Sequence, residues 1–247
     1  LDRGKFPLLV KLLDANKKLS VQVHPDDEYA RKHEGGELGK TEMWVVLQAT
    51  PEAGIIYGFS EQVSRDTLMQ AVDSGDLGHY LNEIKIHPGD HICVPAGTVH
   101  AILAGAVIAE IQQNSNVTYR VFDWNRLDDD GKPRDLHVDK ALDVINYEQV
   151  GVVLAEPEVL EITDAFTRQR LCRNNYFTTE RIILKPDGGY DGSCNGTSLE
   201  IWGLIDGEAN IAGHDLSPVR FVLLPARMGD FSVQAPNGAV LLRTFTG

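Results

Sequence analysis

The sequence predicts a mainly β protein: two jelly-roll β-barrels, at residues 1–150 and 151–247, with a small helical insertion at about residues 60–81 in the first. Three observations predict it. Short apolar stretches that alternate in twos are punctuated by many of the 23 glycines and 11 prolines, the pattern of strands joined by turns. Helical spacing interrupts that pattern between Ser60 and Leu81, where Val63, Leu68 and Val72 recur at intervals of five and four residues. An internal repeat links the halves: Glu42-Met43-Trp44 returns as Glu200-Ile201-Trp202, and Val94-Pro95-Ala96-Gly97-Thr98-Val99-His100 returns as Leu224-Pro225-Ala226-Arg227-Met228-Gly229-Asp230. The matched points lie closer together in the second copy, as they should if the helical insertion belongs to the first alone.

Taken in order, Phe6 to Leu13 reads as an apolar strand, and Leu19 to His24 as a strand that stops at Pro25. Asp26 to Lys32 places acids before bases, matching a helix dipole in a short helical turn. Thr41–Ala49 and Gly54–Phe59 read as strands around a Thr-Pro turn, and Ser60 is a candidate cap for the insertion. Strands resume at Asn82–Ile86, His91–Val94, Thr98–Leu103, Ala106–Gln113 and Val117–Trp124. A solvated loop (Arg126 to Arg134), a helix (Leu136–Ile145) and a linker (Asn146–Glu158) follow. The remainder reads as short strands: ERIILK, SLEIWGLIDG, EANIAG, VRFVLLP, FSVQA and AVLLRTF.

At 247 residues the chain can bury a large core, and its 43% hydrophobic and 24% charged composition is that of a soluble globular protein. No apolar run has the length of a membrane span, and the opening residues do not read as a signal peptide. A net charge of −13 argues against nucleic-acid and anionic-membrane partners, so an anionic substrate would need a local basic pocket. Three cysteines (Cys93, Cys172, Cys194) without metal-type spacing suggest a reducing, cytoplasmic compartment.

Chemistry concentrates in the first half. Residues two apart on a strand share a face, so Gln22 and His24 present an amide oxygen and an imidazole side by side. Glu42 opens the apolar strand Met43-Trp44-Val45-Val46, where an unpaired carboxylate would be costly, and His100 stands on another strand. Two imidazoles, a carboxylate and an amide form a mixed N/O set that suits zinc, with manganese, iron or cobalt also open, and with room for substrate or water. Gln22-Val23-His24 has no counterpart ahead of Glu200, and Asp230 stands where His100 does, so the second barrel is expected to lack metal. Lys11, Lys40, Glu110 and Arg120 surround the set in sequence. Singly, each would be an ordinary surface charge. Around a metal they suit an anionic, hydroxylated carbonyl substrate. Of the other histidines, His33, His79, His87 and His137 fall in turns, loops or helices, and His91 is at most a supporting group.

The strings LVKLLDANKKLSVQVHPDD, GKTEMWVVL, PAGTVHAI and EIQQNSNVTYRVFDW, in this order over about the first 125 residues, resemble the type I phosphomannose isomerases, which are zinc cupins. The resemblance implies two cupin barrels, the second metal-free, and one zinc ion on Gln22, His24, Glu42 and His100. It implies Arg120, Lys40 and Glu110 as catalytic residues and Lys11 as a substrate-binding one. The implied reaction interconverts mannose 6-phosphate and fructose 6-phosphate by proton transfer between C1 and C2 through a cis-enediol, with a sugar phosphate as partner and a monomer or homodimer as assembly. Whether Glu110 or Lys40 is the base, and whether Arg120 holds phosphate or the developing charge, stays open. The family carries an N-terminal segment with a Trp-Gly-Gly signature before the strand near Phe6; the sequence starts Leu1-Asp2-Arg3, so a truncated or divergent N-terminus is expected. Two other readings are a cupin metal oxygenase, which needs a redox metal, and a non-catalytic sugar-binding or regulatory cupin.

Overall fold

A computed structural model describes residues 6–127 and 130–246. The protein is mainly β and divides into two compact units, Leu1–Ala155 and Glu156–Gly247. Among the described residues no helix is long and apolar enough to cross a membrane.

The first unit contains β1 (Leu8–Ala15), β2 (Val21–Val23), α1 (Asp27–His33), β3 (Glu42–Ala49), β4 (Gly54–Phe59), α2 (Arg65–Ser74), a 3₁₀ turn (Leu77–Tyr80), β5 (Leu81–Lys85), β6 (His91–Val94), β7 (His100–Ile102), β8 (Ala106–Gln113), β9 (Tyr119–Phe122) and α3 (Val138–Val144). Its strands form two antiparallel sheets, β1-β8-β3-β6 and β5-β4-β7-β2-β9. The interleaved order of the first eight is that of a jelly roll. Period-two alternation sorts the apolar side chains into two cores. Ile55 on β4 joins Trp44, Val46, Ile92, Ile102 and Ile108 between the sheets. Its neighbour Ile56 faces the other way, onto Leu68 and Ala71 of α2 and Leu142 of α3.

The second unit contains β10 (Glu158–Ile162), β11 (Phe166–Arg173), β12 (Thr178–Cys194), β13 (Glu200–Gly207), β14 (Ala209–Ile211), β15 (His214–Leu216), β16 (Arg220–Leu224) and β17 (Gly229–Phe245). They pair in the order β10-β11-β12-β17-β13-β16, with β14 on β17 and β15 on β14. Trp202, Leu204, Ile182, Val233 and Leu241 anchor its core.

Three sequence expectations need correction. Ser60 does not cap the insertion: its hydroxyl donates to the His79 carbonyl, closing the insertion's two ends, while Ser64 caps α2 by accepting from the Thr67 N–H. The strand expected over Leu19–His24 is confined to Val21–Val23, and even within it the register against β9 shifts between Val21 and Gln22. In the second unit ERIILK continues through Pro186 into a 17-residue strand, and FSVQA joins AVLLRTF through Pro236 into another. Positive φ at Asp187 (58°) and Gly238 (81°) turns the backbone beside each proline without ending the pairing.

Candidate metal centre

Strand register gathers the polar residues of the first unit. Directly opposed residues of an antiparallel pair share a face. Gln22 of β2 stands opposite His100 of β7 on one side and Arg120 of β9 on the other, so these three share one face of the five-stranded sheet. On the four-stranded sheet Glu110 of β8 lies between Lys11 of β1 and Trp44 of β3, and Gln112 lies opposite Glu42.

His24, Glu42 and His100 offer ligand atoms that all lie within 4.8 Å of one another, and all three residues are buried. His24 Nε2 is 3.3 Å from Glu42 Oε1, and His100 Nε2 is 3.8 Å from Glu42 Oε2. Neither Nε2 has a hydrogen-bond partner, and the Glu42 carboxylate stands beside both. A buried polar atom left unpaired costs about 1–3 kcal/mol, so two such nitrogens facing one carboxylate fit a shared cation. The opposite ring nitrogens are tied to backbone: His24 Nδ1 lies 3.0 Å from the Val117 carbonyl and His100 Nδ1 lies 2.9 Å from the Thr98 carbonyl. If each Nδ1 carries the proton, each Nε2 is left as the bare lone pair a metal takes. Burial lowers the pKa of both imidazoles, that of His100 to about 3, which keeps them neutral. Burial alone would raise Glu42, but His24, Lys40 and His100 outweigh it and hold the carboxylate well below its usual range. Deprotonated imidazoles and an ionised carboxylate are the forms that bind zinc, so the residues fit the ion.

Lys40, 6% exposed, sits with Nζ 2.7 Å from Glu42 Oε1. It is placed by a close passage of backbone past α1. Its N–H donates to the Pro25 carbonyl, and a Cβ on Gly39 would lie 2.3 Å from the Asp26 carbonyl carbon. Any side chain at Gly39 would push Lys40 away. Glu110 is buried, and burial together with the Glu42 charge raises its pKa. Lys11 Nζ donates to Gln112 Oε1 at 2.6 Å and stands 3.3 Å from Glu110 Oε1. Arg120 donates from Nη1 to the Asp135 carbonyl at 2.7 Å, and its buried Nε has no partner. Two hydrogen bonds brace this strand against the start of α3: Arg120 N–H donates to His137 Nδ1, and His137 N–H to the Arg120 carbonyl.

All eight candidate residues thus lie in the first unit. His24, His100 and Lys40 gather around Glu42, Lys11 and Glu110 form a pair, and Gln22 and Arg120 join them by register. Sequence reasoning missed two participants. Gln112 holds Lys11 and donates from Nε2 to the Gln113 and Ser115 carbonyls; the clue was its position two residues after Glu110 on the same face. Trp44 donates from Nε1 to Glu42 Oε2 at 3.0 Å, and inside an apolar run it reads as core.

The family profile described as phosphomannose isomerase type I, catalytic domain, matches residues 2–50. The chain is 40% identical over 241 residues to "Probable mannose-6-phosphate isomerase GmuF" of Bacillus subtilis, covering 94% of this chain and 73% of that one. It is 53% identical over 140 residues to a mannose-6-phosphate isomerase of Streptococcus mutans, covering 57% and 44%. The crystal structure of a Bacillus subtilis mannose 6-phosphate isomerase superposes with a TM-score of 0.85 at 35% identity, covering 99% of this chain and 76% of that one.

Proposed function

The chain belongs to the type I phosphomannose isomerases, and from that premise we propose that it is a zinc-dependent aldose–ketose isomerase whose active centre is built on Gln22, His24, Glu42 and His100. The reaction interconverts mannose 6-phosphate and fructose 6-phosphate. A base takes the proton from C2 of the open-chain aldose while the C1 carbonyl oxygen gains a proton, giving the enediol. O2 then gives up its proton as C1 receives one, and the ketose results. Bound zinc would order the substrate oxygens and offset charge developing on them.

Glu110 is the base of choice. Its burial brings the carboxyl toward the range where it both takes and returns a proton, and Lys11 is within reach to steady its charged form. Lys40, against Glu42 Oε1, is the second group able to pass a proton to a substrate oxygen. Arg120, with a buried Nε that has no protein partner, supplies a donor for the enediolate or the phosphate.

The observation that carries this reading is the convergence of two buried, unpaired imidazole nitrogens on one buried carboxylate in a chain of this family. The test is turnover of mannose 6-phosphate before chelation, after chelation and after zinc is restored. Loss and recovery of turnover is expected. Turnover undiminished in metal-free protein would overturn the zinc assignment, and stoichiometric zinc without turnover would favour a sugar-binding cupin.

A further inference from the structure

Glu42 and Trp44 are two residues apart on β3 and therefore share a face, both almost wholly buried. The Trp44 indole N–H donates to Glu42 Oε2, while Oε1 faces His24 Nε2 and the Lys40 ammonium. The same indole meets the His100 ring edge-on, with centroids 5.4 Å apart. The second unit repeats the device independently. Trp202 Nε1 donates to Glu200 Oε2 at 2.8 Å, and the Arg243 guanidinium reaches both oxygens. In both units an indole two residues on holds one oxygen of the buried carboxylate.

We propose that Trp44 is a positioning residue whose indole N–H fixes the Glu42 carboxylate so that it presents Oε1 alone to the metal. The inference rests on the metal reading above. A carboxylate free to rotate can chelate through both oxygens or turn away; one with Oε2 already engaged binds through one atom, which keeps a coordination position open for substrate. Partners of this kind, next to a ligand, are typically worth about 10–100-fold in metal affinity.

The experiment compares the full chain with Trp44→Phe and Trp202→Phe. Zinc affinity is read by competition with a chelator, and coordination number by the visible spectrum of the cobalt(II)-substituted protein. Trp44→Phe is expected to weaken zinc binding about 10–100-fold and to lower the cobalt absorptivity, as the freed carboxylate engages both oxygens. Trp202→Phe loses the equivalent bond away from the site and is expected to change neither reading. Affinity within twofold of the parent and an unaltered cobalt spectrum in Trp44→Phe would overturn the inference. So would an equal loss in Trp202→Phe, which would mark a general effect on the fold. Failure of the parent to bind zinc would instead remove the metal reading beneath it. Should Trp44→Phe not fold, the unmutated chain still decides. Zinc loading is expected to shift the Trp44 indole N–H resonance and leave that of Trp202 in place, and an unmoved Trp44 resonance would overturn the inference.

Discussion

The two units carry one strand frame with opposite polar contents. Glu42 pairs with Val94 just ahead of Pro95, and Glu200 pairs with Leu224 just ahead of Pro225. Trp44 lies opposite Glu110, itself opposite Lys11; Trp202 lies opposite Arg243, itself opposite Glu180. The acid and base have changed places. Gln22 pairs with His100, and Ser193 with Asp230. With an arginine at the Glu110 position, the second glutamate is satisfied from within. Arg243 reaches both Glu200 oxygens and Glu180, under the rings of Tyr190, Trp202 and Phe245. With a glutamate there, Glu42 has no such internal cation except Lys40, and the imidazoles beside it stay unpaired. A frame of this kind thus holds a structural ion network or a candidate metal-ligand group according to a few positions, without a change of register.

The hardest test of that contrast is His100→Ala against Asp230→Ala. The first is expected to abolish zinc retention and turnover, and the second to leave zinc content, measured by elemental analysis, unchanged. Metal loss from Asp230→Ala would break the comparison. Arg243→Met leaves Glu200 buried without its cation, and Glu180 with Arg168 alone, and should cost about 3–5 kcal/mol in a denaturant melt, with zinc stoichiometry unmoved. Arg120→Ala is expected to keep zinc and lower kcat roughly 10²–10³-fold; near-normal kcat would remove Arg120 from the reaction. Lys11→Met is expected to raise KM on the order of tenfold, with the metal untouched, and an unchanged KM would leave Lys11 a strut for Glu110 and Gln112 alone.

Much of this was legible from residue order because period-two patterning is the signal sheets obey most strictly. Ala106–Gln113 and His91–Val94 fall on the residues the alternation marks, since a slip of one would turn Ile108 and Ile92 out of the core. His24, Glu42 and His100 stood out as ionisable groups at strand positions. Proline misled in the second unit: Pro186 and Pro236 read as breaks, yet β12 and β17 stay in register past both. Gln112 and Trp44 were hidden for a different reason. Their roles come from hydrogen bonds to Lys11 and Glu42, and such bonds have no signature in composition.

The place of β17 has a consequence for synthesis. It lies between β12 and β13 in the middle of its sheet, yet it is the last strand of the second unit to leave the ribosome. The sheets of the first unit are complete at Phe122, 123 residues before Phe245. At about 5–20 residues per second that gap is roughly 6–25 s. The half that carries the candidate site can therefore collapse while the second unit is still an open set of strands waiting for the one that joins them.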